Sequence, residues 1–458
     1  MVQSFYNPSA AASRFWNPYT QTMPREQLDA WHLRRIQLLI KHAYDNTPFY
    51  RRLYDQKGVK PEDIRTWDDY YHKIPFTDKP YYVQDQEGKD YGVAALPKEY
   101  FAYDFRTTGT TGVPLREVFS LFDMARLGDQ YLWGLWDSGA RPGDSIYFCF
   151  DFGFWIGFWG LFHGMRRYGL TCISGAGLSS QDRIKQILAL RPAVVTGTPT
   201  YFLHMADVSQ QMGLDLREAG VRVLVAGGEA GFNIPATRKA VVEVWGCESA
   251  LDLYGIGELG LVNNECGAHP GGVHMSEDGC HSYSTDPKSG EPVGEGQVGE
   301  NVITSFTHTT QPFIKYKTHD MVRRYKEFDH GCGWTWDYLE GGVLGRSDFM
   351  VVIRGVNVYP TAVENLLGQV KGLSHYHELH VSRESGMDRM LVKVEAETGV
   401  PVDTYPEFRQ RTEAMYRDIM GLRLEVEVTA PGSLPRYQLK STRVFDHRPK
   451  EVRRELER

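Results

Sequence analysis

Several features that often identify a protein class are scarce in this chain. Its 458 residues include only six cysteines, which argues against a framework of disulfide bonds. Positive charge is not in excess, because the formal net charge is −7 at pH 7, so the charge balance gives no reason to expect nucleic acid or an anionic membrane as a partner. We therefore expect reduced thiols or a metal site. We do not expect nucleic acid or a membrane surface as a partner.

Long apolar runs are also missing. The N-terminal sequence MVQSFYNPSAAASRFW lacks the basic start and apolar core of a secretory signal. The most apolar segment, Tyr147 to Phe162, contains Asp151 and several glycines and is too short to span a bilayer comfortably. These absences predict a cytoplasmic protein that does not cross a membrane. The length of the chain predicts two or more domains.

Helical and strand-like patterns alternate along the chain. Apolar spacing over residues 24–46 predicts an amphipathic helix that Thr47-Pro48 ends, and residues 118–138 also favour a helix. Short β-rich runs end in glycine-containing turns and alternate with helical stretches; they are SIYFCF, PAVVTGTP and VRVLVAGGEA. This alternation predicts an α/β fold with mainly parallel sheets and ligand contacts at the strand ends.

The pattern changes near Asp348. Beyond it, strands and helices alternate on a smaller scale over roughly a hundred residues, including a helix near residues 405–420. This is enough for a compact α+β domain. We therefore predict a large N-terminal domain over residues 1–347 and a small C-terminal domain over residues 348–458.

A loop rich in threonine and glycine, Thr107 to Pro114 (TTGTTGVP), is the most distinctive stretch. Glycine permits backbone angles closed to other residues, and threonine adds hydroxyls to the amide N–H groups, so this loop can cradle phosphate oxygens. A P-loop would need lysine after the second glycine, and none is present. Taken alone, the stretch has a surface turn as its alternative interpretation.

Other pieces occur with this loop in a definite order: TTGTTGVP, AGGEA, LYGIGELG, YKTHD and LPRYQLK. In this combination the chain resembles the AMP-forming adenylating enzymes, and among them it is similar to the phenylacetate–CoA ligases. The resemblance covers nearly the whole chain. It implies a reaction in which an aryl or arylacetic carboxylate attacks the α-phosphate of ATP, assisted by Mg²⁺, and the thiol of coenzyme A then displaces AMP.

The resemblance also implies roles for single residues. Phosphate binding is expected of Thr107, Thr108, Gly109, Thr110, Thr111 and Gly112. Adenine and ribose binding is expected of Gly228, Glu229, Ala230, Tyr254, Asp320 and Arg346. Lys440 is the expected catalytic lysine, since a compact ammonium can bridge the carboxylate and the α-phosphate as charge develops there. Glu258 is expected near Mg²⁺ and the phosphates, and Asp348 is the expected hinge.

The segment FDFGFWIGFWGLFHG interleaves aromatic residues with glycines and has two interpretations. It can be ordinary core, because aromatic residues normally bury, or it can be the wall of a flat apolar pocket. The resemblance favours a pocket for an aromatic acid, lined by Phe152 and Trp155. Phe152 replaces a tyrosine of the family and Phe162-His163 replace a His-Tyr pair, so the ring substituents of the acid are not indicated.

A structural zinc site is a further implication of the resemblance. Cys266, His274, His330 and Cys332 fall where relatives carry a Cys…His…Cys-x-Cys pattern, with His330 in place of a cysteine. Mixed cysteine and histidine ligands suit Zn²⁺. His269 is left open as a fourth ligand or as no ligand.

Two alternatives to coenzyme A ligation stay open. The first is an adenylating ligase that transfers the acyl group to an amine or to a carrier-protein thiol. The second is a nucleotide-binding protein without catalysis, against which the retention of Lys440, Glu258 and Asp320 argues. The sequence does not determine the oligomeric state, and it is compatible with a homodimer.

Overall fold

Two sheets of very different size divide the chain in a computed structural model of the protein. The structure describes residues 13–107, 114–229, 231–326, 328, 330–347, 351–353, 356–384, 387–420, 422–436 and 443–449. An eleven-stranded sheet belongs to the larger N-terminal part, and a four-stranded sheet belongs to the C-terminal part. The predicted boundary residue, Asp348, lies outside the described residues.

The helices are α1 (Pro18–Gln21), α2 (Arg25–Asn46), α3 (Pro48–Asp55), α4 (Trp67–Lys73), α5 (Lys79–Gln86), α6 (Leu121–Asp129), α7 (Leu132–Asp137), α8 (Ile156–Tyr168), α9 (Ser180–Leu190), α10 (Pro199–Gln211), α11 (Pro235–Trp245), α12 (Pro360–Leu367) and α13 (Tyr405–Met420). Short 3₁₀ turns occur at Pro61–Asp63, Lys98–Tyr100, Leu216–Ala219 and Val402–Thr404. No helix in the described ranges combines the length and the apolar character that a bilayer crossing requires.

The strands are β1 (Tyr103–Arg106), β2 (Arg116–Phe119), β3 (Ser145–Phe148), β4 (Thr171–Ser174), β5 (Val194–Gly197), β6 (Val223–Gly227), β7 (Ser249–Ile256), β8 (Gly260–Asn264), β9 (Gly272–Met275), β10 (Cys280–Thr285), β11 (Val298–Ser305), β12 (Tyr316–Tyr325), β13 (Tyr338–Arg346), β14 (Val351–Ile353), β15 (Val356–Val358), β16 (Leu373–Glu384), β17 (Met387–Ala396), β18 (Glu425–Thr429) and β19 (Val444–Asp446).

The large sheet has a parallel half and an antiparallel half. Its strand order is β10-β11-β12-β13-β9-β8-β7-β6-β5-β3-β4. Strands β4, β3, β5, β6 and β7 pair in parallel. From β7 across the sheet to the edge strand β10, every neighbouring pair is antiparallel. The α/β fold class is confirmed, and the predicted parallel pairing describes the first half. In the antiparallel half most neighbouring strands are consecutive in the chain, so each connection reverses the chain direction, and β13 pairs with the earlier strand β9.

Both faces of the parallel half are buried, which explains its uninterrupted apolar strands. Along β5 and β6, Val194 and Val223 pack with α8 residues such as Met165 on one face. Their neighbours Val195 and Leu224 pack with α10 and α11 on the other face. The carboxyl ends of β3, β5, β6 and β7 therefore meet at one edge of the sheet, where ligands bind in such folds.

The C-terminal part is a small α+β unit with its own core. Its strand order is β18-β17-β16-β19. Val363 of α12 and Tyr416 of α13 are fully buried against apolar residues of β16 and β17. The predicted helix over 405–420 is confirmed, as is the predicted helix over 24–46. Residues 118–138 differ from expectation, because they form the end of β2 and two short helices, α6 and α7.

Helices α6 and α8 approach each other closely at a pair of glycines. A Cβ atom added at Gly164 would lie 2.4 Å from the carbonyl oxygen of Gly128, well inside van der Waals contact. A Cβ atom added at Gly157, in the first turn of the same helix, would meet no described atom within 4 Å. The close approach therefore depends on glycine at position 164 and not at position 157.

Replacing Gly164 with alanine should lower the free energy of unfolding by about 1–3 kcal/mol, because the added methyl group forces α6 and α8 apart. Gly157→Ala is the matched control, and it should leave stability unchanged or slightly higher. Urea denaturation of both variants checks the prediction. Equal stability of the two variants would contradict the close helix contact.

Candidate active site

The predicted phosphate-binding loop begins and ends on a two-stranded hairpin of β1 and β2. Thr107 is buried, its amide donates to the carbonyl of Leu115 at 3.0 Å, and its Oγ1 accepts from the Leu115 amide at 2.9 Å. These bonds fix the two ends of the loop side by side. The predicted residues Thr108, Gly109, Thr110, Thr111 and Gly112 lie outside the described residues.

Glu258 lies beside the base of this loop. A Cβ atom built on the preceding residue, Gly257, would be 3.4 Å from Cγ2 of Thr107. The Glu258 side chain is 9% exposed, and its Oε1 is 3.2 Å from Nζ of Lys79, the first residue of α5. The Lys79 ammonium thus provides positive charge at this carboxylate. One or two protein carboxylates together with substrate phosphates are the usual ligands of Mg²⁺ in nucleotide sites, so Glu258 fits that cation.

A second buried carboxyl group, Glu117, lies on the strand that leaves the loop. Its side chain is 1% exposed, and neither of its carboxylate oxygens has a hydrogen-bond partner among the residues that the structure describes. It comes two positions after Leu115, the residue before β2, so it shares the face of Leu115, which clusters with Leu259 and Tyr316. Burial, and next the charge of Glu258, raise the pKa of Glu117 well above its ordinary value. This shift favours the protonated form of the carboxyl group in the folded protein.

The predicted ribose residues come together across the sheet. Tyr254 on β7 donates its hydroxyl proton to Oδ2 of Asp320 on β12. Arg346 on β13 pairs in register with Asp320 and donates from Nη1 to Oδ1 of that carboxylate at 3.3 Å. Because β8, β9 and β13 separate β7 from β12 in the strand order, the sheet must curve strongly for this contact to form. A carboxylate held in this way can accept hydrogen bonds from vicinal hydroxyls.

The turn after β6 contains the predicted adenine residues. Gly228 has φ of +89°, a left-handed conformation that favours glycine. The next residue, Glu229, accepts hydrogen bonds at Oε1 from the backbone amide and the hydroxyl of Thr200 in α10. The turn is thus joined to the start of a neighbouring helix. Ala230 lies outside the described residues.

An aromatic wall borders the loop on its other side. The ring of Phe152 lies 5.0 Å from that of Trp159, and Tyr103 contacts His163 edge-on at 5.0 Å. Trp155 packs against Gly153, where an added Cβ would lie 2.8 Å from the indole. The Arg106 amide donates to the carbonyl of Phe154 at 2.9 Å, which joins this wall to the loop. Phe152 and Trp155 are half-buried, so both the pocket and the packing interpretation have support.

The four predicted zinc ligands are brought together. Ligand atoms of Cys266, His274, His330 and Cys332 all lie within 4.8 Å of one another. Individual distances are 3.1 Å from Cys266 Sγ to His330 Nε2, 3.3 Å between the two histidine Nε2 atoms, and 3.5 Å from Cys332 Sγ to His274 Nε2. A tetrahedral metal site needs this number and kind of ligand.

The hydrogen bonds that other groups make to these ligands also suit a metal. Nδ1 of His274 lies 2.9 Å from the carbonyl oxygen of Trp336, so this nitrogen carries the proton and Nε2 presents its lone pair to the other ligands. The Trp334 amide donates to Sγ of Cys332 at 3.2 Å. The hydrogen bond between the two thiols lowers the pKa of Cys332 and raises that of Cys266, so in this pair Cys332 is the thiol that ionises first. The ring of His269 lies 5.1 Å from that of His330, outside the four-residue set.

Some predicted residues lie outside the described structure, and some residues of the site were not predicted. Lys440 belongs to the first group, as does Asp348. Lys79 and Glu117 belong to the second. Nothing in the sequence around Lys79 distinguishes it, whereas a lone acidic residue within the apolar strand that contains Glu117 is a signal that could have been noticed.

Comparison with known proteins follows the same division of the chain. The family model described as AMP-binding enzyme matches residues 22–309, and the model described as AMP-binding enzyme C-terminal domain matches residues 355–448. The phenylacetate–coenzyme A ligase of Thermus thermophilus is 33% identical over 94% of this chain and 99% of its own length. The phenylacetate–coenzyme A ligase of Aromatoleum evansii is 31% identical over 93% of this chain and 96% of its own length.

Solved structures of one ligase in two states match nearly the whole chain with different TM-scores. A 2-hydroxyisobutyryl-CoA ligase in the postadenylation state, with 2-HIB-AMP, superposes with a TM-score of 0.90 at 28% identity, over 97% of this chain and 94% of that one. The same ligase in the thioesterification state, with 2-HIB-AMP and CoA, is 28% identical over 100% of this chain and 97% of that one, but its TM-score is only 0.73. Identity and coverage are nearly the same in the two comparisons, so they do not explain the lower TM-score.

Glu117 provides a test of the local electrostatics. Because its pKa is raised in the folded protein, the folded state retains a proton that the unfolded state releases above roughly pH 4.3, and stability conferred at low pH is lost as the pH rises. Glu117→Gln removes this dependence, so the stability advantage of the variant over the parent should grow from pH 5 to pH 8. Urea denaturation across that range measures it.

The exposed Glu248 provides the control. Glu248→Gln should change the free energy of unfolding only slightly, and by the same amount at each pH. Parallel pH profiles for the parent and Glu117→Gln would show that Glu117 ionises normally in the folded protein.

Proposed function

This chain belongs to the AMP-binding enzyme family, and we propose that it is an acid–coenzyme A ligase that activates an aromatic carboxylic acid with ATP and releases AMP. The observation that carries the proposal is the hydrogen bonding of Tyr254 and Arg346 to the carboxylate of Asp320. This group lies at the edge of the large sheet where Thr107 and Glu258 also come together. Relatives named phenylacetate–coenzyme A ligase span nearly the whole chain, which supports the same reaction here.

The first half-reaction joins the acid to AMP. A carboxylate oxygen attacks the α-phosphorus of ATP, the bond to pyrophosphate breaks, and pyrophosphate leaves with that electron pair. Asp320 would accept hydrogen bonds from the ribose hydroxyls, and the loop that begins at Thr107 would bind the phosphates. Glu258 would hold Mg²⁺ together with the phosphates, and the cation would supply charge neutralisation. Lys440 contributes the positive charge between the carboxylate and the α-phosphate.

The second half-reaction transfers the acyl group. The thiolate of coenzyme A attacks the carbonyl carbon of the acyl-adenylate, and the bond to the AMP oxygen breaks. Lys440 must leave before the thiol can approach, so the C-terminal domain rotates between the two steps, with Asp348 as the hinge. The two TM-scores obtained against one ligase in two states support such a change of arrangement.

The acid is the least constrained component. The relatives named for phenylacetate and the aromatic wall around Phe152 and Trp159 both favour an aromatic ring in the pocket. The solved ligase of similar structure is named for a small aliphatic hydroxy acid, so overall fold does not select the acid. Burial and two nearby arginines lower the pKa of His163, so this ring is neutral beside the wall and provides no charge for a second carboxylate.

A panel of acids tests the proposed function. Purified protein is supplied with ATP, Mg²⁺ and coenzyme A, and AMP formation is measured with benzoate, phenylacetate, longer arylalkyl acids and 2-hydroxyisobutyrate. We expect the highest kcat/KM with an aromatic acid. Pyrophosphate exchange without thioester formation would favour an amine or carrier-protein acceptor, and the absence of exchange with every acid would favour a protein without catalysis.

We also propose that the four-residue cluster of Cys266, His274, His330 and Cys332 holds a structural zinc ion. Its position supports this role, because residues near it bind the N-terminal segment: Arg14 donates to the carbonyl of Gly331 at 3.2 Å. The ion would cross-link the turn after β8 to the segment before β13. All six cysteines are free in the structure, which accords with the reducing cytoplasm that we propose as the location.

Lys440→Ala should reduce ATP–pyrophosphate exchange by about 10²–10³-fold, because the lysine acts on charge that develops in the transition state. ATP binding, measured by calorimetry, should change little. Lys371→Ala, at an exposed lysine of the same domain, is the control and should retain full exchange. An unchanged exchange rate in Lys440→Ala would exclude the assigned role.

His330→Ala should abolish stoichiometric zinc and lower the melting temperature, since a structural metal contributes directly to folding. Elemental analysis of the purified parent should find about one zinc per chain, and a chelator should reproduce the loss of stability. His269→Ala is the matched variant and should retain zinc, because His269 lies outside the cluster. Zinc-free parent protein of unchanged stability would refute the site.

A further inference from the structure

One carboxylate organises the loop that leads to Lys440. Glu395, on β17, is 1% exposed. Its oxygens accept hydrogen bonds from the amide of Gly432 at 3.0 Å and from the amide of Leu434 at 2.7 Å. Both Nη atoms of Arg436 donate to the same carboxylate, at 2.8 and 2.7 Å. This bidentate pair, strengthened by backbone donors, fixes the chain up to Arg436, four residues before Lys440.

Arg436 in turn stacks on Tyr376, which reaches into the N-terminal domain. The guanidinium carbon of Arg436 lies 3.4 Å from the centre of the Tyr376 ring. The Tyr376 hydroxyl donates to Oδ2 of Asp207, on α10, at 2.7 Å. Burial and this hydrogen bond raise the pKa of Tyr376, so the phenol keeps the proton that it donates. The contact therefore crosses between the two domains.

Helix α10 connects this contact to the nucleotide pocket. Thr200, which bonds to Glu229, and Asp207 are seven residues apart and so lie on one face of the helix. Between them and the C-terminal domain is a cavity of about 20 Å³, lined by Thr200, Tyr376, Leu434 and Pro435, which is room for about one water molecule. The helix face that supports the adenine turn thus also faces the loop before Lys440.

We propose that Asp207, Tyr376 and Arg436 are positioning residues that hold the C-terminal domain against the N-terminal domain for the adenylation half-reaction. The proposal rests on the proposed function, because it assigns these residues to the step that Lys440 serves. The contact belongs to the arrangement that matches the postadenylation state of the similar ligase, with a TM-score of 0.90. The thioesterification state matches at 0.73, so a different arrangement of domains serves the second step.

Separate measurement of the half-reactions tests the proposal. Tyr376→Phe removes only the hydroxyl, and Asp207→Ala removes only the acceptor. Each should lower ATP–pyrophosphate exchange about tenfold, the order expected for one charge-assisted hydrogen bond. Thioester formation from coenzyme A and pre-formed acyl-adenylate should be unchanged or faster. Asp207→Asn keeps an oxygen that can accept the bond and should restore most of the exchange, and Tyr405→Phe removes a hydroxyl elsewhere in the same domain as a control.

A substrate-free measurement separates this proposal from the proposed function. Small-angle X-ray scattering of the full chain should match the structure for the parent and for Asp207→Asn, and it should depart from the structure for Asp207→Ala. Melting temperatures of the three proteins should agree within a few degrees. Equal loss of both half-reactions, unchanged exchange in Asp207→Ala, or identical scattering of all three proteins would overturn the proposal. A parent protein that activates no acid, with the scattering change intact, would instead count against the proposed function.

Discussion

The contact of Asp320 with Tyr254 and Arg346 is the interaction on which the nucleotide site depends. Arg346 is the register partner of Asp320 on the neighbouring strand, whereas Tyr254 comes from the parallel half of the sheet. The contact therefore requires the antiparallel half to curve back over the carboxyl ends of the parallel strands. That curvature turns the edge of an open sheet into a cleft. Thr107, at the base of the predicted phosphate loop, and Glu258 lie beside it.

Buried charge is tolerated in the molecule where several partners share it. Arg25 bonds to Glu277 and Asp337, and Arg324 bonds to Asp337 as well, so these buried groups form one network that joins α2 to the antiparallel half. Glu117 is different, because its oxygens have no partner in the described part of the chain and its burial favours the protonated form. A site that must accept phosphates and a cation can contain such a group, since added negative charge there would oppose binding of ATP.

Two kinds of connection hold the C-terminal domain near the site. Backbone and carboxylate hydrogen bonds around Glu395 are internal to that domain. The hydrogen bond between Tyr376 and Asp207 joins that domain to α10, and we propose that it breaks when the domain turns for the second half-reaction. A single hydrogen bond of this kind contributes about 0.5–1.5 kcal/mol, which is enough to bias an equilibrium between two arrangements without locking it.

The sequence by itself determined the class of fold, the order of the motifs and the residue types of the site. Strands β3, β5 and β6 and helices α2 and α13 were recognisable because apolar periodicity acts over a few neighbouring residues. The resemblance also identified Cys266, His274, His330 and Cys332, which the structure brings within 4.8 Å. It could not indicate the split of residues 118–138 into a strand end and two helices, where packing overrides local propensity.

Only the tertiary structure decided which distant residues meet. The contacts of Lys79 with Glu258 and of Tyr376 with Asp207, and the burial of Glu117, depend on strand register, sheet curvature and domain contact. These features arise from the summed packing of many residues, and no local pattern records them. The sequence therefore specified the chemistry available to the site, and the fold specified the distances and burial that make this chemistry usable.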